Sequence, residues 1–162
     1  GKVRAIGLSN FVDARFVDLV ENMEVKPAVL QLETHVFSQQ KRMRELMAPY
    51  GTRLMAWAPL AEGKNGIFTH PTLMAIGAKY GKTAAQTALR FLMAEDVIAI
   101  PKSVHRERLV ENFSIDDFEL SAEDLDAIRA LDGGKPMFAD FNDPALAKFL
   151  LEYAAKFNPE RQ

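Results

Sequence analysis

Four short clusters hold the side chains with chemistry to offer: Ser9-Asn10, Gln31, Trp57-Ala58-Pro59-Leu60 and Pro101-Lys102-Ser103. A hydroxyl and two side-chain amides suit the hydrogen-bonding edge of a carboxamide. An indole face suits a flat heteroaromatic ring, with a stacking gain of about 1 kcal/mol. A lysine next to backbone amides suits a phosphate. Three of the four clusters also have a plainer reading. Ser9-Asn10 are turn-forming residues that could simply close a strand. Trp57 could be a core residue. Lys102 could be a solvated charge after a strand.

All four clusters lie at or near the ends of short apolar runs, at residues 3–8, 28–33, 54–58 and 97–100. Helical spacing separates the runs. Phe16, Leu19, Val20 and Met23 recur at intervals of three and four, as do Met43, Leu46 and Met47 before Gly51. His70-Pro71 reads as an N-cap and first helical position, opening a helix that carries Leu73, Met74 and Ile76 and stops at Gly81. Thr83-Ala84-Ala85-Gln86 is a capping-box pattern that opens the next helix, ending near Met93. Helices are also predicted over residues 106–112 and from Ser121 to Leu131, the latter stopped by Gly133-Gly134.

Strand then helix, four times over, with one extra helix before the fourth strand, predicts parallel strands joined by right-handed crossovers. Uninterrupted apolar runs are the pattern of strands covered on both faces. Two architectures use this repeat: an open doubly wound sheet and a closed eight-stranded barrel. The first expects a glycine-rich fingerprint after its first strand, where this chain has Ser9-Asn10-Phe11. The second needs roughly 250 residues, and this chain has 162. In a parallel barrel ligands sit on the C-terminal face, where the four clusters fall.

We read residues 1–162 as one domain, with a half barrel over 1–134 and a C-terminal loop and helix over 135–162. The tail holds Phe138, Phe141 and Pro144, then a helix opening at Asp143-Pro144. Ala145, Leu146, Phe149, Leu150, Tyr153, Ala154 and Phe157 form its apolar stripe, expected to pack on the domain or cap a barrel end. Phe138 and Phe141 either line a substrate pocket or pin the tail.

Composition narrows the function. Lys and Arg total 20 against 22 Asp and Glu, a net charge of -2, so no basic excess exists to bind nucleic acid. Cysteine is absent, which excludes disulfides, thiolate metal sites and a cysteine nucleophile. His35, His70 and His105 lack metal-ligand spacing, and no metal site is expected. No apolar run reaches the roughly 18–20 residues that span a bilayer, and no signal-peptide pattern is seen; a cytoplasmic location is expected. Gly1 directly before an apolar run reads as a chain cut from something longer.

Taken together, the motifs resemble the C-terminal half of an aldo-keto reductase. Gly1-Lys2-Val3-Arg4-Ala5-Ile6-Gly7-Leu8-Ser9-Asn10-Phe11 resembles the family's fifth-strand segment, and Pro27-Ala28-Val29-Leu30-Gln31-Leu32-Glu33-Thr34-His35 the sixth. Ala56-Trp57-Ala58-Pro59-Leu60 resembles the seventh, and Ile100-Pro101-Lys102-Ser103-Val104 through Glu111-Asn112-Phe113 the eighth. Four motifs in order, over residues 1 to about 134, make the resemblance specific.

The resemblance implies a (β/α)8 TIM-barrel half and NADPH-dependent reduction of a small aldehyde or ketone. It assigns Ser9, Asn10 and Gln31 to the nicotinamide carboxamide, and Trp57 to the nicotinamide ring. Ala58 and Leu60 are assigned to the pyrophosphate, Lys102, Ser103, Val104 and Arg108 to the 2′-phosphate of NADP, and Glu111 and Asn112 to the adenine edge. For Arg108 and Glu111, three apart on a helix, the plainer reading is a surface ion pair. Leu30 stands where the family usually has Asn, Val36 where Pro commonly follows the His, and Ala58 replaces a frequent Ser. The family's catalytic Asp, Tyr, Lys and His belong to the other half of its barrel, so no residue here is assigned a catalytic role. Four strands alone leave two unpaired edges. A homodimer, or a partnership with a complementing N-terminal half barrel, is expected.

Overall fold

The computed structural model describes residues 1–157. Its centre is a four-stranded sheet in the order β1-β2-β3-β4, formed by Gly7–Ser9, Val29–Glu33, Arg53–Trp57 and Ile98–Ala99. Every neighbouring pair is parallel. The intervening helices are α1 (Ala14–Asn22), α2 (Lys41–Met47), α3 (Pro71–Tyr80) and α4 (Ala84–Ala94). After β4 come α5 (Arg106–Phe113), α6 (Ala122–Arg129) and α7 (Pro144–Phe157).

The strand-helix order is as expected, but strand length follows position in the sheet. The inner strands β2 and β3 have hydrogen-bonding neighbours on both sides and run for five residues each. The edge strands have one neighbour each, and β1 and β4 run for three and two. The apolar run at 3–8 therefore enters the ladder only at its end, beginning with the Ala28 N–H bonding to the Ile6 carbonyl at 2.9 Å.

Alternation along the inner strands separates two faces. Leu30, Leu32, Leu54 and Ala56 are buried and pack into the main core with Phe16 and Val20 of α1, Leu73 and Ile76 of α3, and Phe91 of α4. Val29, Gln31, Met55 and Trp57 point the other way and are only half-buried. Only one face of the sheet is fully covered, which corrects the expectation of strands buried on both faces. Unbroken apolar runs cannot tell the two cases apart, because Val29, Met55 and Ile98 occupy the open face too.

The helix ends form where their residues dictate. Thr83 Oγ1 accepts from the Gln86 N–H at 3.2 Å, and Gln86 Oε1 accepts from the Thr83 N–H at 3.0 Å, completing the expected capping box. Ser121 Oγ accepts from the Asp124 N–H at 3.2 Å to cap α6. His70 occupies the N-cap of α3 with Pro71 behind it, and Gly81 closes that helix at φ 65°.

Of the two expectations for α7, packing of its stripe on the domain is not met. Its start is tied by Asn142 Nδ2 donating to Asp13 Oδ2 at 2.7 Å, but Phe149, Leu150 and Tyr153 face outward. The main core draws its apolar contacts from α1 to α4 and α6, and no residue of α7 belongs to it. The side chain of Phe157 and residues 158–162 lie outside the described residues. Among the described residues no helix is long and apolar enough to cross a membrane. Nor does any cluster of His, Asp and Glu among them have the arrangement to hold a metal.

One ion cluster staples helices together away from the sheet. Glu95, after α4, receives Arg44 Nη1 at 2.6 Å from α2 and Arg129 Nη2 at 2.5 Å from α6. Burial pushes the Glu95 carboxyl up, but the two arginines outweigh it and hold the group below the usual carboxylate range. A depressed folded pKa contributes stability above the unfolded value, about 4.3. That stability is lost as pH falls through the folded value. Glu95→Gln is expected to destabilise the protein by about 1–3 kcal/mol at pH 7, since both arginines are partly solvated and screened. Urea unfolding should show the gap between variant and parent closing as pH drops below 4.3.

Candidate functional site

The parallel sheet places the C-terminal ends of all four strands on one side, and the candidate residues fall there in two groups. In the first, Ser9, Gln31 and Met55 form one row across β1, β2 and β3. Asn10 follows Ser9 in the left-handed region at φ 60°, a conformation that Asn tolerates better than most residues. The turn directs its side chain to Trp57, whose Nε1 donates to Asn10 Oδ1 at 2.9 Å, while the Asn10 N–H donates to the Gln31 carbonyl at 3.0 Å. Gln31 Nε2 is 3.2 Å from Met55 Sδ, a weak acceptor that a better one can displace. Ser9 is exposed.

Trp57 is half-buried, with its indole N–H committed to Asn10, and this is not the setting of a core tryptophan. Phe138 from the tail packs at 5.7 Å between ring centroids and a tilt of 51°. Lys64 Nζ lies 4.4 Å from the centre of the Phe138 ring. Beyond Trp57 the chain makes consecutive tight turns. Ala58 sits at φ 49°, an unfavourable region for alanine, and its carbonyl accepts from the Ala61 N–H at 2.8 Å.

In the second group, Leu60, Lys102, Ser103, Val104, Arg108, Glu111 and Asn112 all line one cavity of about 490 Å3. Lys102 and Arg108 are exposed and have no ion-pair partner among the described residues. Ser103 Oγ accepts from the His105 N–H at 3.1 Å, which shapes the turn into α5. The Glu111 carboxylate accepts from Thr83 Oγ1 at 2.6 Å and leaves Arg108 alone, so the ion-pair reading of those two residues fails. Ala58 lies between the groups along the chain and lines neither pair of contacts. Two unpartnered cations facing one cavity are a fit for a phosphate-bearing ligand.

The sequence profile described as the Aldo/keto reductase family matches residues 1–133. The chain belongs to the aldo/keto reductase family. A glyoxal reductase of Bacillus subtilis (strain 168) is 42% identical over 131 residues, covering 81% of this chain and 47% of that protein. The crystal structure of MGS-M4, an aldo-keto reductase from a Medee basin deep-sea metagenome library, superposes with a TM-score of 0.85 at 38% identity. That match covers 88% of this chain and 53% of the other. A variant of Gox0644 solved in complex with NADPH gives a TM-score of 0.82 at 34% identity, over 88% of this chain and 52% of that one. The chain spans about half the length of the relatives it matches.

The departures of this chain from the family pattern fall off the open face. Leu30 points into the helix-packed core and Val36 is fully buried. The third departure, Ala58, takes the left-handed turn with its backbone and needs no hydroxyl to do so.

Sequence reasoning missed Glu33, at the end of β2. Its buried carboxylate accepts the N–H of Met137 at 2.6 Å and of Phe138 at 3.1 Å, so it holds the tail across the site. His35 completes the arrangement: its Nδ1 accepts from the Phe37 N–H at 3.2 Å, leaving the Nε2 proton for Glu33 Oε1 at 3.1 Å. Burial pushes the Glu33 carboxyl up, but these donors more than reverse it and hold it below the usual range. An acid inside an apolar segment, two residues before a histidine, was the available signal. Phe138 is held at its N–H by Glu33 while its ring meets Trp57. Phe141 lines a cavity of about 440 Å3 that the tail and α2 share with Asn10 and Glu33.

Proposed function

We propose that this chain is the cofactor-binding half of an NADPH-dependent reductase that converts an aldehyde or ketone to an alcohol. The observation that carries the reading is the pair of exposed cations, Lys102 and Arg108, which have no ion-pair partner among the described residues and line one cavity with Ser103. When bound, NADPH supplies the hydride. Ser9, Asn10 and Gln31 hold the carboxamide by hydrogen bonds, and Trp57 offers its face to the ring. Ala58 and Leu60 present the turn beside the pyrophosphate. Lys102, Arg108, Ser103 and Val104 surround the 2′-phosphate, and Glu111 and Asn112 meet the adenine. Two cations at one phosphate favour NADPH over NADH, because an NAD site usually places an acid at the ribose hydroxyl. None of the 162 residues is assigned to protonate the carbonyl oxygen, and that role falls to a complementing half.

The free edges of β1 and β4 support association with such a half, or with a second copy. An apolar cavity of about 520 Å3, lined by Leu89, Met93, Ile98 and Leu109, lies beside the β4 edge. A cytoplasmic location accords with the cofactor. The alternative is a non-catalytic half-barrel fragment or assembly module that self-associates and never gains turnover.

The test uses Trp57, the only tryptophan, as reporter. Quenching by NADPH at lower concentration than by NADH is expected. So is the absence of aldehyde turnover by the chain alone, and its appearance when an N-terminal half barrel is added. Equal affinity for the two cofactors would defeat the NADPH reading. Turnover by the verified 162-residue chain alone would defeat the division of labour. A reconstituted assembly that binds NADPH but never turns over would favour the module.

A further inference from the structure

Helix α5 carries Arg108, Glu111 and Asn112 to the cavity, yet none of its own residues is buried. The helices α1 to α4 and α6 each bury at least two. Leu109, Val110 and Phe113 are exposed. Apolar packing therefore does little to fix α5, and its placement depends on polar contacts.

Those contacts come from one segment, residues 82–86. Gln86 Nε2 donates to the Glu111 carbonyl at 3.1 Å and to the Ser114 carbonyl at 2.9 Å, two acceptors at the end of α5. Thr83 Oγ1 donates to Glu111 Oε1 at 2.6 Å, and Lys82 Nζ to the Ser114 carbonyl at 3.2 Å. Gln86 is buried, and its Oε1 accepts from the Thr83 N–H, so one amide closes the start of α4 and the end of α5 together. Capping α4 needs only the Oε1 acceptor. The two Nε2 bonds are surplus to that task. The helix they reach from is well anchored, since α4 buries eight of its residues.

We propose that Gln86 is a positioning residue for the phosphate end of the cofactor cavity. It bolts α5 to the buried start of α4 and so holds Arg108 opposite Lys102 and Ser103. Its neighbour Thr83 contributes by occupying the Glu111 carboxylate, which lies three residues from Arg108 on the same helix and would otherwise compete for the guanidinium. The inference rests on the cofactor reading above, and its test separates the two.

The probes are 2′,5′-ADP, which carries the phosphate at issue, and 5′-AMP, which lacks it. Calorimetric titration of the 162-residue chain is compared with Gln86→Glu, which keeps the acceptor for Thr83 and removes both donors to α5. Gln86→Met, which is neutral, separates loss of the donors from the added charge. Hydrogen exchange over residues 106–113 and the global Tm are measured on the same samples. Affinity for 2′,5′-ADP is expected to fall about tenfold or more in both variants. Affinity for 5′-AMP should be nearly unchanged, and exchange in α5 should quicken well ahead of global unfolding. If either folded variant keeps parental affinity for 2′,5′-ADP, Gln86 does not position the site and the proposal falls alone. If the parent chain does not distinguish 2′,5′-ADP from 5′-AMP, the cofactor reading falls and takes the proposal with it.

Discussion

Gly77→Ala is expected to cost about 3 kcal/mol or more, a large share of the roughly 5–15 kcal/mol that holds a domain of this size. A β-carbon at Gly77 would stand 2.4 Å from the Lys82 carbonyl oxygen and 2.8 Å from Thr87 Oγ1. Neither neighbour can retreat cheaply. The Lys82 carbonyl is backbone, and its residue is fixed by its own N–H bonding to the Gly77 carbonyl at 2.9 Å. Thr87 Oγ1 bonds to the Thr83 carbonyl at 2.9 Å inside α4. Relief therefore requires α3 and α4 to separate, which would open the core around Leu73, Ile76, Ala88 and Phe91. Gly51→Ala is the control. It has open space around the new carbon but a φ of 65°, so only the left-handed penalty of about 1 kcal/mol applies. Urea unfolding of the two variants should separate them by about 2 kcal/mol or more. A Gly77→Ala protein no less stable than Gly51→Ala would mean that α3 and α4 do not pack this closely.

Local signals carried much of the fold into view. Thr83 with Gln86, His70 with Pro71, Ser121 and Gly81 act within three or four residues, and each helix end they mark is where the pattern put it. The strands were legible as apolar runs but not in length, because length depends on how many neighbours a strand finds across the sheet. The open face was illegible for a related reason. Val29 and Met55 are as apolar as Leu30 and Leu54, and only the tertiary arrangement decides which pair is covered. In the site, residue type marked the strand-end groups, and motif resemblance added Arg108, Glu111 and Asn112. It did not reveal the contacts that place them. Glu33 meets Met137 and Phe138 across more than a hundred residues, and Thr83 meets Glu111 across 28. Such pairings have no local pattern. That the stripe of α7 does not pack on the domain was not legible, because periodicity reports that a stripe exists and not what lies opposite it.

Removing the two cations should have the largest effect on ligand binding and should show which part of the ligand they serve. Hydrogen bonds to charged groups are worth about 1.5–3 kcal/mol, so Arg108→Ala and Lys102→Ala are each expected to weaken NADPH binding by about tenfold to a hundredfold. NADH, which lacks the 2′-phosphate, should bind nearly as before. The discrimination between cofactors would then shrink by the same factor, and the double variant should show little preference. Both side chains are exposed, so the parent's advantage for NADPH should also decline as salt screens the pair. The two residues differ in how they act. Lysine is a point charge, whereas the planar guanidinium can grip two phosphate oxygens together. Arg108→Lys should therefore recover only part of the lost affinity, and Lys102→Arg should be limited by the fit of a larger group beside Ser103. Fluorescence titrations of each variant with both cofactors, at low and high salt, decide the matter. If Arg108→Ala and Lys102→Ala weaken NADH as much as NADPH, the cations shape the cavity without reading its phosphate, and the preference for NADPH must come from another part of the protein.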